Sequence, residues 1–368
     1  MQPLLPVFTR EFGVSGAQSA LSLSLTTGIL APAMIVAGAI SEARGRKLMM
    51  VVSLFASAML TLVCAFATSW KIFLVTRALA GLSFAGLPAI SMAYLSEEVD
   101  PGSIGLAMGL AIGGNGLGGM IGRLLTALLT DLFSWRWAVG AIAVLGFIAT
   151  IVFWRTLPPS RHFVARPMRA RALAQTFLGQ LRDPRLATLF AEGFLLMGAF
   201  ISTYNYATYH LLDAPYRLSQ AAAGLIFTVY LVGIFASAFI GARADRVGRG
   251  RMLLLMMTLM LGGVMLTALR PLWCVIAGIA VVTFGFFGGH SVASSWIGLR
   301  ATRARAQASA LYLFFYYMGA SVAGAVGGLF WDRWRWNGVA LYVATLLVVG
   351  IGVATLVMRS DRPVPAHA

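Results

Sequence analysis

Four ionisable side chains stand inside long apolar stretches of this chain, and each points to its own chemistry: Arg77, Arg123, Glu192 and His290. An ionisable group within a membrane-spanning helix costs about 2.5 to 3.5 kcal/mol on insertion scales, so it faces a bundle interior or a cavity and has a role. Glu192 reads either as a proton-carrying carboxyl group or as a helix N-terminal charge near the cytoplasm. His290 follows Gly288 and Gly289; it titrates near neutrality, binds a ligand or is a satisfied buried histidine. Arg77 lies about two turns from Lys71, which suits an interfacial arginine that snorkels outward. Arg123, near the outer end of its stretch, reads as snorkelling or as pairing between helices.

Polar tips on aromatic bodies form a second group. Asn205, Tyr206 and Tyr209 share one stretch, and Tyr312, Tyr316 and Tyr317 another. They suit a cavity for a weakly polar or amphipathic organic solute, although aromatics in such stretches also serve packing. An intramembrane enzyme would need clustered His and Glu ligands, facing Ser and His, or a nucleotide loop, and the sequence has none of these. No Gly-x-x-x-x-Gly-Lys-Ser/Thr loop is present, which removes an ATP-driven pump in one chain. Cys64 and Cys274 both fall in apolar stretches without partners at disulfide or metal spacing, and read as packing residues. No cofactor or metal is called for.

The elements that position these residues are legible from composition. Apolar residues make up 59% of the 368 and charged residues 11%, against about 25% charged in an ordinary soluble domain. Eleven apolar runs lie near 17–40, 48–67, 72–94, 104–126, 136–156, 186–211, 219–241, 252–270, 272–296, 307–330 and 338–358. About 20 apolar residues in a helix cross a bilayer core, so an all-α membrane protein is expected.

The formal charge of +16 does not mark a nucleic-acid binder, because the basic residues are sorted by loop and form no patch on a soluble face. If the loop after the first run is cytoplasmic, that side holds 19 of the 28 basic residues and the opposite side seven: Arg10, Lys71, Arg136, Arg217, Arg270, Arg333 and Arg335. That bias predicts the orientation, with the C-terminus in the cytoplasm. The stretch 157–185, with Pro158, Pro159, Pro167, Pro184 and six arginines including Arg166 and Arg169, reads as a basic cytoplasmic linker between 1–156 and 186–358, with 359–368 as a tail.

The two halves repeat. Gly38 to Arg46 aligns with Gly241 to Arg249 at an offset of 203, and Trp135-Arg136-Trp137 is echoed by Trp334-Arg335-Trp336 behind Asp131 and Asp332. Inverted and parallel repeats are a mark of transporter folds. The glycines let helix ends and tight loops approach neighbouring backbone, and the acidic residues can pair with nearby arginines or sit at a helix N-terminus.

These loops carry a resemblance to the major facilitator superfamily. Its Gly-x-x-x-Asp-x-x-Gly-Arg-Lys/Arg signature is similar to Gly38, Glu42, Gly45, Arg46 and Lys47, and to Gly241, Asp245, Gly248 and Arg249, with Glu42 in place of the first Asp. The resemblance implies two six-helix bundles related by a pseudo-two-fold axis, with these loops as conformational switches. Arg77, with Gly81, Gly86 and Pro88 beyond it, resembles the fourth-helix motif of family exporters, which implies a role in proton or substrate coupling beside Glu192 and His290. Gly113, Gly114, Asn115, Gly118, Gly119 and Gly122 resemble the fifth-helix antiporter signature, with Asn115 for its Pro and Leu110 for its first Gly. On residues alone they read as a close-packing seam.

Subtracting 203 from the run at 186–211 puts its counterpart at about −17 to 8, of which Met1 to Phe8 is present. The expectation is a first helix reduced to its tail, with about 20 more apolar residues encoded in frame just upstream. The expected function is alternating-access transport of a small organic solute by a monomer in the bacterial inner membrane, with proton-coupled efflux favoured. The alternatives are a facilitator or proton-coupled importer of a sugar or organic acid, and a non-transporting receptor or structural protein.

Overall fold

The computed structural model describes residues 1–100, 103–161, 163, 170–301 and 304–360. Its elements are helical: α1 (Leu5–Phe12), α2 (Gly16–Arg44), α3 (Arg46–Ala65), α4 (Trp70–Phe84), α5 (Pro88–Glu98), α6 (Ile104–Leu132) and α7 (Trp135–Thr156) before the linker. The linker holds α8 (Ala170–Arg182), followed by α9 (Pro184–Leu212), α10 (Gln220–Gly224), α11 (Tyr230–Val247), α12 (Arg249–Thr267), α13 (Leu272–Arg300) and α14 (Arg305–Ser360). Among the described residues, eight helical segments are long and apolar enough to cross a membrane. Leu48, Val52, Phe55, Leu145 and Trp154 all stand more than two-fifths exposed on outer faces, as a lipid-facing surface requires.

Each of the eleven apolar runs falls on helix, with three refinements. The run at 72–94 is broken into α4 and α5 because Pro88 opens the second helix and cannot donate to the turn before it. The run at 219–241 passes through a short 3-10 turn at Leu225–Val229. The last two runs share α14, which is broken by Arg335 at φ 52° and ψ −143°.

The repeat is visible in backbone. Gly45 between α2 and α3 has φ 99° and ψ 155°, and Gly248 between α11 and α12 has φ 96° and ψ 124°. A Cβ is strained in that region, so both halves use glycine to turn one helix directly into the next. Ser15, Ser69 and Ser134 cap α2, α4 and α7 by accepting from backbone N–H groups, which satisfies donors the helix cannot.

The halves meet along α2, α9 and α14, away from the linker. Asp332 on α14 accepts from Gly16 N at 2.9 Å and Ala17 N at 3.1 Å, while Ser15 accepts from Gln18 N at 3.2 Å. Three successive donors at the α2 N-terminus are thus held, two of them by the other half. Deeper in, Ser321 donates to Ser24 O at 2.6 Å, and the hydroxyls of Thr9 and Tyr209 lie 2.7 Å apart.

Candidate functional site

A cavity of about 390 Å³ lies between the halves near the middle of their helices. Arg77 of α4, Leu23 and Thr27 of α2, and Gly118, Gly119, Gly122 and Arg123 of α6 line it from the first half, beside Met1 and Gln2. Met197 and Ile201 of α9 with Tyr317 and Ala320 of α14 complete it. The volume is in the range of small-molecule sites.

Arg77 reaches this cavity because Gly81, one turn on, lets α4 lie against α2, where an added Cβ would strike the Thr26 backbone. The crossing is tied by Thr26 Oγ1 donating to Arg77 O at 3.0 Å and by Arg77 Nε donating to Ser22 O at 3.0 Å. Arg77 is 6% exposed, so the outward-snorkelling alternative is corrected: the guanidinium turns into the bundle. For Arg123 the snorkelling alternative is corrected likewise, and pairing with other segments is what the structure shows. Helix α6 continues to Leu132, leaving Arg123 about two and a half turns inside it. It donates to Gln2 Oε1 at 2.7 Å and to Gly119 O at 2.8 Å, and lies over the rings of Phe227 and Tyr230 at 5.6 and 5.1 Å. Gln2 in turn donates to Asn205 Oδ1 at 2.8 Å.

The glycine seam of α6 is not closely packed here. A Cβ at Gly114 or Gly118 would meet nothing within 4 Å, Gly119 faces Arg123, and Asn115 is exposed. This face of the helix borders the cavity, so other helices do not fill it.

The proposed aromatic cavity residues lie elsewhere. Tyr206 donates to Gly324 O at 2.9 Å and stacks on Trp331, Tyr209 bonds Thr9, and Asn205 is fully buried behind Gln2. Their rings and amide knit α9 to α14 and α1, while Tyr317 lines the cavity. Tyr312 and Tyr316 are instead gathered with His290. The His290 Nδ1 to Tyr312 Oη distance is 2.9 Å, and the imidazole packs against Phe286 and Tyr316.

Glu192 lies near Tyr312, whose ring packs against the adjacent Gly193. Glu192 is fully buried, with neither carboxyl oxygen in a hydrogen bond, and within electrostatic reach of Tyr312. Glycine lets Tyr312 pack here, since a Cβ at Gly193 would lie 2.7 Å from its ring, and Gly350 of α14 lies across from the Glu192 carboxyl group. Buried polar atoms are almost always bonded, so an orphan carboxyl group asks for a function. It is also a full helical turn and more inside α9, where the first turn is capped by Asp183.

At the linker face the first signature loop forms a latch. Arg46 donates to Glu97 through Nε at 3.1 Å and Nη2 at 2.7 Å, and to Ser41 Oγ at 2.6 Å. Lys47 donates to Leu157 O, and Tyr94 to Pro158 O at 2.8 Å. In the second loop Arg249 donates to Ser295 Oγ at 2.8 Å. The side chains of Glu42 and Asp245 lie outside the described residues, as do Arg166, Arg169 and the tail beyond Ser360.

A profile of the Major Facilitator Superfamily matches residues 1–216 and again 193–368. The chain belongs to this family. It is 47% identical over 362 residues to the MFS-type transporter YybF of Bacillus subtilis (strain 168), covering 98% of this chain and 90% of that one. It is 45% identical to the inner membrane transport protein YnfM of Escherichia coli (strain K12), covering 98% and 86%. Its fold matches a bacterial homologue of the human lysosomal transporter Spinster, at TM-score 0.78 and 15% identity over 99% of this chain and 94% of the other. The nucleoside transporter NupG matches at TM-score 0.75 and 16% identity, over 98% and 93%. As in this family at large, the unit is an all-α membrane transporter of small molecules built from two helical bundles.

Sequence reasoning named Glu97 and Gln2 nowhere. Glu97 is an ordinary helix-end acid until Arg46 is seen against it. Gln2 had one available signal: it aligns with Asn205, its hydrogen-bond partner, at the repeat offset of 203.

Proposed function

We propose that this chain is a proton-coupled exporter of a small organic solute, acting as a monomer in the bacterial inner membrane. Residues 1–156 and 186–358 are the two rocking halves, 157–185 is their cytoplasmic tether, and the C-terminus is cytoplasmic. In the state described, the contacts of Asp332, Ser321 and Thr9 close the face opposite the linker, and the cavity is loaded from the cytoplasm. Rocking breaks these contacts, and the positive-φ glycines Gly45 and Gly248 carry the change of angle between paired helices.

One observation supports the coupling: Glu192 is buried near Tyr312, the partner of His290, with no hydrogen bond to either carboxyl oxygen. A carboxyl group whose surroundings alternate between closed and wet takes up a proton on one face and releases it on the other. Arg77 in the cavity wall links that cycle to the solute, because its contact with Ser22 O ties α4 to α2. The test uses proteoliposomes of the full chain with a pH dye in the lumen. A transported solute is expected to dissipate an imposed pH gradient, and nigericin to abolish its accumulation. Equilibration of solute with no response to the gradient would identify a facilitator instead.

A further inference from the structure

The polar side chains of the central cavity are unequal in charge. Arg77 and Arg123 both line it, and among the described residues neither forms an ion pair. An arginine has five N–H donors. Arg77 spends one on Ser22 O and also meets the Cys64 side chain, and Arg123 spends one on Gln2 and one on Gly119, so each keeps donors to spare. Guanidinium groups hold oxyanions through paired N–H donors, and such charge-assisted bonds are roughly twice as strong as neutral ones. Gln2, Thr27 and Thr126 are neutral polar groups in the wall, and the rest of its larger side chains are apolar or aromatic: Leu23, Ile142, Met197, Ile201 and Tyr317. Unbranched methionine adapts to varied apolar shapes.

We infer that the carried solute is a small amphipathic organic anion, its carboxylate or like oxyanion held by Arg77 and Arg123 and its apolar body lying against Met197, Ile201 and Tyr317. This rests on the transport reading above and narrows its substrate class. Cations are repelled by the two uncompensated charges, and neutral solutes leave them unpaired. A rigid planar acid fits best, because the glycine face of α6 at Gly118, Gly119 and Gly122 presents backbone without side chains to one side of the cavity.

The test is calorimetric titration of the purified full chain with cinnamate, cinnamamide and cinnamylammonium, which share one ring and differ in charge. Cinnamate is expected to bind at least about tenfold more tightly than cinnamamide, and the ammonium not to bind. Arg123→Gln, checked for an unchanged melting temperature, is expected to bring cinnamate down to the level of the amide, and Arg123→Lys to retain part of the preference. Equal binding of acid and amide by the unaltered chain, preference for the ammonium, or no binding by any probe overturns the inference. Flux is measured separately in proteoliposomes. Cinnamate that binds with the expected preference but is never moved leaves the anion site standing and removes the transport reading.

Discussion

Gly81 and Gly114 belong to the same bundle and should respond oppositely to one added methyl group. At Gly81 the methyl meets the Thr26 backbone, whereas at Gly114 it meets nothing within 4 Å. Gly81→Ala should therefore cost about 1 to 3 kcal/mol as overpacking, and Gly114→Ala should gain roughly 0.5 to 1 kcal/mol from helix propensity. Thermal unfolding in detergent separates the two, and equal shifts would refute the packing assignment. Glu192→Gln keeps size and removes the ionisable group. Gradient-driven transport is expected to fall at least about tenfold, with solute exchange at equal pH kept within about threefold. Normal gradient-driven transport in that variant would exclude Glu192 from coupling. At this scale Glu192 and His290 stood out in the sequence, because ionisable groups in apolar runs are conspicuous. Their association with Tyr312 did not, since it depends on α13 and α14 converging on α9.

Two helix-to-helix corners, α2 to α3 and α11 to α12, are built by the same device. Gly45 and Gly248 have φ near 99° and 96°, and alanine in either place is expected to cost about 1 to 3 kcal/mol of backbone strain. Lowered melting temperature in both variants checks this, and a variant as stable as the parent would show that the corner can relax. The glycine spacing made both corners readable in advance. The break between α4 and α5 was signalled by Pro88, but a Pro does not reveal whether a helix kinks or stops. The break at Arg335 was marked only by the polar gap between the runs at 307–330 and 338–358, with no glycine or proline to set its geometry. Its positive φ arises where Trp336 Nε1 donates to Thr267 O at 2.9 Å and the Trp336 ring stacks on His210, which are contacts between distant segments.

For the whole molecule, closure of the face opposite the linker rests on Asp332 holding the N-terminus of α2. Asp332→Ala should cost about 0.5 to 2 kcal/mol as a lost cap and shift the population toward opening on that face. Cys64 and Cys274 are 0% and 2% exposed, so a single cysteine replacing Ser24 reports without background. An impermeant maleimide applied from the opposite face should label it roughly fivefold faster when Asp332 is also changed. Unchanged labelling would mean that other contacts hold the face shut. The linker orientation is checked by a C-terminal fluorescent fusion, which should fold and fluoresce in the cytoplasm.

Hydropathy, loop charge and the duplicated Gly-acid-Gly-Arg loops determined the helical membrane class, the two halves and the family, because these depend on composition and local spacing alone. The tertiary structure decided which polar groups meet. It turned Arg77 and Arg123 inward to one cavity, withdrew Tyr206 and Tyr209 into packing between α9 and α14, opened the α6 glycine face and brought Tyr312 to His290. All of these depend on rotation of one helix against another. A run that is apolar on every side, as a buried membrane helix is, carries no stripe from which that rotation can be read.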